Sequence, residues 1–495
     1  MHSVSDDADT VAIPYAQEPE RRPRLRHVTQ AMDRVVDRLV AERKATADAV
    51  VEAPAPLQPI DLTDDARVTQ VLDLAERVGE VVLSSGTAVT DTTSQVEFIA
   101  ATYGLSQVDV DVTYNAIRIS ADRGPTLPPA STMRIVNYRS MDFTRLAAVD
   151  RLTRRIRREL MPPEEALEAL EAITTAPHPY TRWIATFGWS LMAASIALLL
   201  GGGVLLAGAS FVATAAIYGT NRYLNRRGLP LFFQHMVGGA IATVPAILLA
   251  TFGGKIEANP SLIVAAGITV LLSGLSLVGS VEDAITGAPI TAAARMLELL
   301  VMTGGIIAGV ALALRAATLL GATSPPIDMS ASTYDINNLP VKLIAGAVAS
   351  AAFALACYAE RRALAAAGIS GMAATVCYLF VQYANFGPVV SSGVAATVVG
   401  LAGGLMARRA LTPPLVVAVA GITPLLPGLK VYRGLSALLN DQQLLGLNQM
   451  LAAFGIGCAL AAGVTLGEWM ARYLRQPRIL RRFQGIRRPV VRTAT

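Results

Sequence analysis

Ten apolar runs between residues 184 and 471 constrain the fold of this chain more than any other feature. Most of them reach the roughly 20 residues that an α-helix needs to cross about 30 Å of hydrocarbon. Charged residues make up only 16% of the chain, against roughly 25% in an ordinary soluble protein. We therefore predict a polytopic α-helical membrane protein with ten transmembrane helices. The expected spans are 184–200, 204–220, 232–252, 261–280, 292–314, 341–359, 369–386, 389–407, 414–430 and 446–471.

The second half of this membrane part repeats the first. A shift of 154 residues aligns residues 232–300 with residues 386–454 without a gap. Chance similarity predicts neither a constant offset over three spans nor shared Thr and Phe positions. Each copy holds five spans, residues 184–314 and residues 341–471, and an odd number makes the second copy cross in the opposite sense. We therefore expect two inverted five-helix repeats, which are typical of secondary transporters and also found in channels.

The distribution of basic residues predicts the orientation of the chain. With both termini in the cytoplasm, 15 basic residues of the segments flanking the spans and of the C-terminal tail lie inside and five lie outside. This bias follows the positive-inside rule. Residues 472–495 alone carry eight Arg and no acidic residue. We interpret this basic tail as an orientation signal and expect no nucleic-acid partner.

The first 180 residues are more polar and predict two parts. Residues 1–60 contain six Pro and are expected to form a disordered tail. Residues 61–177 predict a small cytosolic α+β domain. Its helix ending near Gly86 follows from apolar spacing, and Ser94 with Glu97 resembles the capping box of a second helix. The other expected elements are two strands around a turn at Asn115, a third strand over 133–138, and helices starting at Asp142 and Pro163.

Motifs for catalysis or metal binding are not found in the sequence. Ser84-Ser85-Gly86 could hold a nucleophile, but the domain has no GxSxG elbow and only His178 at its edge as a base. A turn at a helix end is the better interpretation. Asp109 and Asp111 fall on the polar face of a strand, which we expect to be solvated. The three Cys form no CxxC pair, so we predict no disulfide, no metal site and no cofactor.

The fourth and ninth predicted spans are interrupted by helix-breaking residues. Pro424 and Pro427 remove backbone donors and free carbonyl groups inside the ninth span. Inverted-repeat transporters place substrate sites at such interrupted helices. The alternative is that these positions pack helices together, with each Thr hydroxyl bonded to its own turn. Repeat-mate residues flank both breaks: Gly274 and Gly428, and Thr269 and Thr423.

Charged residues near the spans form a second group of candidates. Arg295 and Glu298 are three residues apart, so they share a helix face and are expected to pair. Asp283 follows the fourth span, where partial desolvation would suit it to carry a proton. The alternative is a structural ion pair together with a solvated loop acid. Polar amides near later span ends add to this group: Asn385, Asn448 and Gln449, the last being the repeat mate of Arg295.

Two stretches resemble the threonine/serine exporter family. Asp283-x-x-x-Gly287 followed by Ala294-Arg295-x-x-Glu298 is similar to a motif near the end of that family's first membrane half. The run from Val78 to Leu105 resembles the start of its N-terminal domain. The resemblance covers about residues 65–475. It implies a bacterial cytoplasmic-membrane exporter of small hydroxy amino acids, driven by protons, surrounded by lipid and compatible with homo-oligomers.

If the substrate is an amino acid, the charges and positions of the candidate residues suggest a role for each. Arg295 would bind the substrate carboxylate, and carbonyl groups near Pro424 and Pro427 would receive its ammonium group. Asp283 and Glu298 would couple transport to protons. Three alternatives stay open: a dicarboxylate exporter of the same architecture, a channel, and a membrane-anchored hydrolase. The expected substrate-binding set is Thr269, Gly274, Thr423, Pro424, Pro427, Gly428, Arg295, Asn385, Asn448 and Gln449.

Overall fold

The computed structural model describes residues 59–105, 107–136, 141–252, 259–272, 274–323, 338–410 and 413–475. Nearly all of the predicted N-terminal tail, and the basic tail beyond residue 475, lie outside these ranges. The term N-terminal region is used below for the described part of residues 59–177. The remaining described residues are almost entirely helical.

Helices and one antiparallel sheet make up the N-terminal region. Its elements are α1 (Asp65–Ser84), α2 (Val89–Thr102), β1 (Val108–Thr113), β2 (Ala116–Ala121), β3 (Ala130–Ile135), α3 (Phe143–Glu159) and α4 (Pro163–Thr175). The strands lie in the order β1-β2-β3, with Val110 opposite Ile119 and Ile119 opposite Thr132. Ile117 and Ile119 point to one face of β2 and are buried in a core that includes Val78 of α1. Alternation along β2 therefore separates a buried from an exposed face.

Local chemistry sets several of these boundaries as predicted. Asp142 caps α3 by accepting hydrogen bonds from the backbone N–H groups of Thr144 and Arg145. Pro163 is the first residue of α4, a position that does not need its missing N–H. Gly86 follows α1 with φ +89°, a left-handed conformation that suits glycine.

Two boundary predictions are wrong. Ser94 lies inside α2 and caps nothing, because α2 begins five residues earlier with Ala88 as its N-cap residue. Ala88 offers no side-chain cap, and the N–H group of Val89 is bound by a carboxylate from outside the N-terminal region. The third strand begins at Ala130, three residues before the predicted start.

Long apolar helices form the membrane part. Among the described residues, eight helices are long and apolar enough to cross a membrane, and two bent helix pairs also qualify, which gives ten spans if each pair is one. The predicted number of ten is the upper end of this range. In chain order the helices are α5 (Arg182–Leu199), α6 (Val204–Arg226), α7 (Leu231–Phe252), α8 (Ser261–Leu271), α9 (Gly274–Thr286), α10 (Pro289–Leu319), α11 (Leu339–Ala356), α12 (Arg361–Tyr383), α13 (Pro388–Ala410), α14 (Pro414–Ile422), α15 (Gly428–Leu439) and α16 (Gln443–Arg475).

The bent pairs coincide with the two spans that the sequence marks as interrupted. α8 and α9 meet at 50°, and α14 and α15 meet at 43°. In the second pair, a 3₁₀ turn over Thr423–Leu425 follows α14, and Pro427 is the N-cap residue of α15. Both pairs are longer than predicted, because α9 and α15 continue past the expected ends to Thr286 and Leu439.

Small residues bring the membrane helices into backbone contact. A Cβ atom added to Gly309 of α10 would lie 1.8 Å from the carbonyl oxygen of Met236 in α7. One added to Gly467 of α16 would lie 2.3 Å from the carbonyl oxygen of Thr397 in α13. Such approach is how helices associate in lipid, where dispersion replaces the hydrophobic effect. Helices α7 to α10 are arranged as a long helix, a bent pair and a second long helix. Helices α13 to α16 repeat this order.

Candidate functional site

A cavity of about 300 Å³ lies between the bent pairs, the surrounding helices and the N-terminal region. Its volume is at the small end of the range of roughly 300–1,000 Å³ that holds small-molecule ligands. Apolar and aromatic side chains form most of its wall, including Trp189, Tyr218 and Phe353. The polar lining residues are Ser84, Asn221, Gln234, His235, Ser276, Arg295, Glu298 and Thr423.

Arg295 connects three parts of the molecule at the edge of this cavity. Its Nη1 lies 2.6 Å from Oδ2 of Asp283 at the end of α9. Its Nη2 donates a hydrogen bond of 3.2 Å to the carbonyl oxygen of Thr87 in the N-terminal region. Arg295 is 3% exposed and Asp283 is not exposed at all. A buried pair of this kind needs both partners, because an unmatched charge in the interior is costly.

The predicted ion pair between Arg295 and Glu298 is therefore corrected to one between Arg295 and Asp283. Helical spacing selects residues that share a face of one helix. Here the chain reverses at Gly287, which has φ +99°, and the N–H of Ala288 bonds back to the carbonyl of Asp283. The end of α9 thus folds against the start of α10, and Asp283, twelve positions away, becomes an ion-pair partner of Arg295.

Asp283 also binds the N-terminal region directly. Its Oδ1 accepts a hydrogen bond of 2.8 Å from the N–H of Val89, the first residue of α2. The first N–H groups of a helix have no partner within the helix, and the helix dipole favours an anion there. A side chain of the membrane part therefore supplies the cap that the sequence of α2 lacks.

A second segment of the N-terminal region, the β1–β2 turn, binds Glu298. Tyr114, at the β1–β2 turn, donates from its hydroxyl to Oε2 of Glu298 at 3.2 Å. The N–H of the same Tyr114 donates to Oγ1 of Thr291 at 2.9 Å. Tyr114 has φ 52°, so the turn presents both groups toward α10. No pattern within either segment alone could have paired these residues.

The breaks of the two bent pairs lie beside the cavity. Thr423 lines it, as do residues on either side of the first break, Leu272 and Ser276. Thr269 instead packs against the second pair, where a Cβ atom added to Gly428 would lie 1.7 Å from Oγ1 of Thr269. The two bent pairs are therefore in contact near their breaks, at a position where a residue larger than Gly428 would not fit.

Both threonine hydroxyls bond to their own helical turn. Oγ1 of Thr269 donates to the carbonyl of Ala265 at 2.8 Å, and Oγ1 of Thr423 donates to that of Val419 at 3.1 Å. This is the packing arrangement that the sequence left open. A hydroxyl that donates to its turn still has lone pairs that can accept, so Thr423 keeps an acceptor at the cavity wall.

Other candidates are placed apart from the cavity lining. Asn385 is exposed, with φ 61°, in the turn after α12. Asn448 is exposed on α16, and Gln449 packs against Gly434 of α15. Pro424 and Pro427 are buried at the bend, and Gly274 begins α9. The structure therefore gathers Arg295, Glu298 and Thr423 at the cavity, and leaves Asn385 and Asn448 on the surface.

The aromatic wall of the cavity and two of its amides, Asn221 and Gln234, are not among the predicted site residues. Trp189 stacks on Tyr218 at 5.2 Å between ring centroids and meets Phe353 edge-on at 5.6 Å. Oδ1 of Asn221 is buried and has no hydrogen-bond partner among the described residues. An amide next to a predicted span was a signal available in the sequence, because Asn221 directly follows the predicted span 204–220 and polar groups in lipid are costly.

The N-terminal region also contacts the second membrane half. The N–H of Phe143 donates to the carbonyl of Cys357 at 3.0 Å, just after α11. The hydroxyl of Thr144 bonds to the carbonyl of Tyr358. Nη2 of Arg151 lies 2.7 Å from Oε1 of Glu360. The region is thus joined both to the α9–α10 turn and to the α11–α12 loop.

The residues of the N-terminal region and its edge that could suggest a hydrolase make local contacts. The hydroxyls of Ser84 and Ser85 donate to the carbonyl of Val81, as expected at a helix end. Nδ1 of His178 lies 2.9 Å from Oδ2 of Asp142, and its ring stacks on Tyr358. Asp109 and Asp111 are exposed. No group of three or more His, Cys, Asp or Glu residues suited to a metal is found within the described ranges.

Comparison with known proteins identifies relatives along most of the chain. A family model described as "Putative threonine/serine exporter" matches residues 73–317, and a second, described as a threonine/serine exporter, matches residues 342–481. A "Threonine/serine exporter" of Corynebacterium glutamicum is 45% identical over 88% of this chain and 90% of its own length. A "Probable threonine/serine exporter" of Mycobacterium tuberculosis is 39% identical over 83% of this chain and 78% of its own length. No solved structure matches.

Proposed function

Because the chain belongs to the threonine/serine exporter family, we propose that it exports threonine and serine across the bacterial cytoplasmic membrane, driven by the proton gradient. One observation carries the assignment of the site: Arg295 and Glu298 line the same small cavity. An α-amino acid bears a carboxylate and an ammonium group, and these two side chains offer the matching charges. A guanidinium has five N–H donors, so Arg295 can bind Asp283 and a substrate carboxylate together.

Asn221 is suited to recognise the side-chain hydroxyl of the substrate. Its Oδ1 is a buried acceptor without a hydrogen-bond partner among the described residues, and Asn221 is one of the residues that line the cavity. A buried acceptor left unsatisfied costs about 1–3 kcal/mol. The hydroxyl of threonine or serine would satisfy it, whereas the methyl group of valine would not. Thr423, on the second break, offers a further acceptor.

The charges of the cavity favour an amino acid over a dicarboxylate. A dicarboxylate would place a second negative group near Glu298, and like charges in a poorly solvated site repel strongly. A zwitterion is neutral overall and meets one group of each sign. The cavity therefore supports the amino-acid exporter over the dicarboxylate exporter of the same architecture.

Glu298 is the better candidate for proton coupling. Asp283 is engaged by Arg295 and by the N–H of Val89, and both contacts give it a structural role. Glu298 faces the cavity, where a proton and a substrate ammonium group would compete for the same carboxylate. Binding of one would then require release of the other, which is the simplest form of antiport. In this proposal Asp283 positions Arg295 and the N-terminal region.

We also propose that the two halves are inverted repeats with both termini in the cytoplasm. If each bent pair is one span, the α9–α10 turn and the α11–α12 loop fall on the side of the membrane that holds Thr181. The contacts of the N-terminal region to Asp283 and to Cys357 agree with that count. The basic residues of the loops and tail support the cytoplasm as that side.

Uptake of labelled threonine into inside-out vesicles tests the proposal. With the lumen more acidic than the medium, vesicles containing the protein should accumulate threonine above the external concentration, and a protonophore should abolish the excess. A channel would equilibrate threonine without accumulation, and a hydrolase would release products without uptake. Vesicles from cells lacking the protein serve as the control. Threonine that never exceeds its equilibrium level under a pH gradient would overturn proton-driven export.

A further inference from the structure

The loop that joins α1 to α2 forms part of the cavity wall. It also makes hydrogen bonds to Arg295 and Asp283. Ser84 and Gly86 line the cavity. The carbonyl of Thr87 accepts from Arg295, and the N–H of Val89 donates to Asp283. The fit is close, since a Cβ atom added to Gly279 of α9 would lie 3.2 Å from Nη1 of Arg295 and 3.7 Å from the carbonyl oxygen of Gly86.

The other contacts of the N-terminal region brace both halves of the membrane part. Tyr114 bonds to Thr291 and Glu298 in the first half. Phe143 and Arg151 bond to Cys357 and Glu360 in the second half. A transporter built of two halves exposes its site alternately by moving them against each other. A folded region bonded to both halves on one side opposes that movement.

We propose that the N-terminal region is the gate on its own side of the transporter, and that it must release its contacts with the α9–α10 turn in every transport cycle. This rests on the proposed function above. While the region is docked, the α1–α2 loop closes the cavity beside Arg295. When it is released, Arg295 loses the carbonyl of Thr87 and gains donors for a substrate carboxylate. Substrate binding and docking of the loop thus compete for one guanidinium.

A reversible crosslink across this contact tests the gate. Tyr114→Cys and Thr291→Cys are combined in a chain whose three native cysteines are replaced by alanine, since the N–H of Tyr114 lies 2.9 Å from the Thr291 hydroxyl. Crosslinking is measured by mass spectrometry of the linked peptides, and threonine transport is compared in the same sample before and after reduction. The crosslinked form should transport at least about tenfold more slowly than the reduced form. Each single-cysteine variant, oxidised in the same way, is the control.

The gate and the proposed function are contradicted by different results of this experiment. A crosslinked protein that transports as fast as its reduced form overturns the gate and leaves the proposed function intact. A wild-type protein without threonine transport counts against the proposed function.

A second measurement does not require transport. Val89→Pro removes one N–H donor to Asp283, and proline is tolerated at the first position of a helix, here after an extended Ala88. Val89→Ala keeps the N–H and is the matched control. In a chain with Thr87→Cys as its single cysteine, an impermeant maleimide should label Cys roughly tenfold faster with Val89→Pro than with Val89→Ala, because a hydrogen bond to a charged acceptor is lost. Equal labelling rates in the two variants would count against the gate, because the α1–α2 loop would then not be held by Asp283.

Discussion

Asp283 and Arg295 are separated by a chain reversal, yet Oδ2 of Asp283 lies 2.6 Å from Nη1 of Arg295 in a fully buried ion pair. Each of the two also binds backbone of the N-terminal region, through Val89 and Thr87. The pair therefore joins α9, α10 and the α1–α2 loop at the edge of the cavity. Its loss should affect folding, docking and transport together.

Removing one partner of this pair should strongly destabilise the protein. Asp283→Asn leaves Arg295 buried beside a neutral amide, and we expect the free energy of unfolding to fall by about 3–5 kcal/mol. Glu360→Gln, in the half-exposed pair with Arg151, should change it by less than about 1 kcal/mol. Chemical unfolding of the purified protein in detergent measures both. An Asp283→Asn protein as stable as the wild type would show that the pair is not needed.

Asn221 should discriminate threonine from valine. In Asn221→Leu the cavity loses its hydroxyl partner, so selectivity for threonine over valine should fall by about 10- to 100-fold, which corresponds to about 1–3 kcal/mol. Competition of unlabelled valine against labelled threonine measures this ratio. Asn338→Leu, at an exposed position before α11, should leave it unchanged. Unaltered selectivity in Asn221→Leu would exclude Asn221 from hydroxyl recognition.

The contact between the two breaks should not tolerate a methyl group. Gly428→Ala places a Cβ atom 1.7 Å from Oγ1 and 2.8 Å from Cβ of Thr269, so the bent pairs must separate. We expect a loss of about 1–3 kcal/mol in stability, together with reduced transport. Gly208→Ala on α6 has open space around the new methyl and serves as the control. Combining Gly428→Ala with Thr269→Gly removes the obstructing side chain, and this double variant should regain part of the lost stability and transport. A double variant that regains neither would show that this contact is not the cause.

Docking of the N-terminal region should weaken as pH rises. Burial raises the pKa of Asp91 in α2. The positive charge of Arg472 offsets only part of this increase. Glu282 lies close enough for the two carboxylates to repel each other. Release would hydrate Asp91 and return its pKa toward the ordinary value of 3.8. Docking is therefore most favoured below that value and loses stability as pH rises to the pKa of the docked state. Maleimide labelling of Thr87→Cys should accelerate over this interval. Asp91→Asn should remove the dependence and Asp111→Asn should not; labelling that slows with rising pH would contradict the assignment.

The sequence predicts more of the fold than of the candidate site. Pro424 and Pro427 each remove a backbone donor within one short stretch of a span, so a bend there follows from local chemistry. The ion pair of Arg295 could not be derived in this way, because it depends on how α9 folds back at Gly287. Contacts such as Tyr114 to Glu298 join segments 184 positions apart, and only the packed molecule brings them together.

Protection of the cavity by substrate tests the central claim most directly. With Thr423→Cys as the single cysteine, a small thiol reagent should modify Cys in the cavity wall, and threonine should slow the reaction at the concentrations that half-saturate transport. Serine should protect in the same way, and valine should require roughly 10- to 100-fold more. Modification that proceeds at the same rate under saturating threonine, in a variant that still transports it, would show that the substrate binds elsewhere.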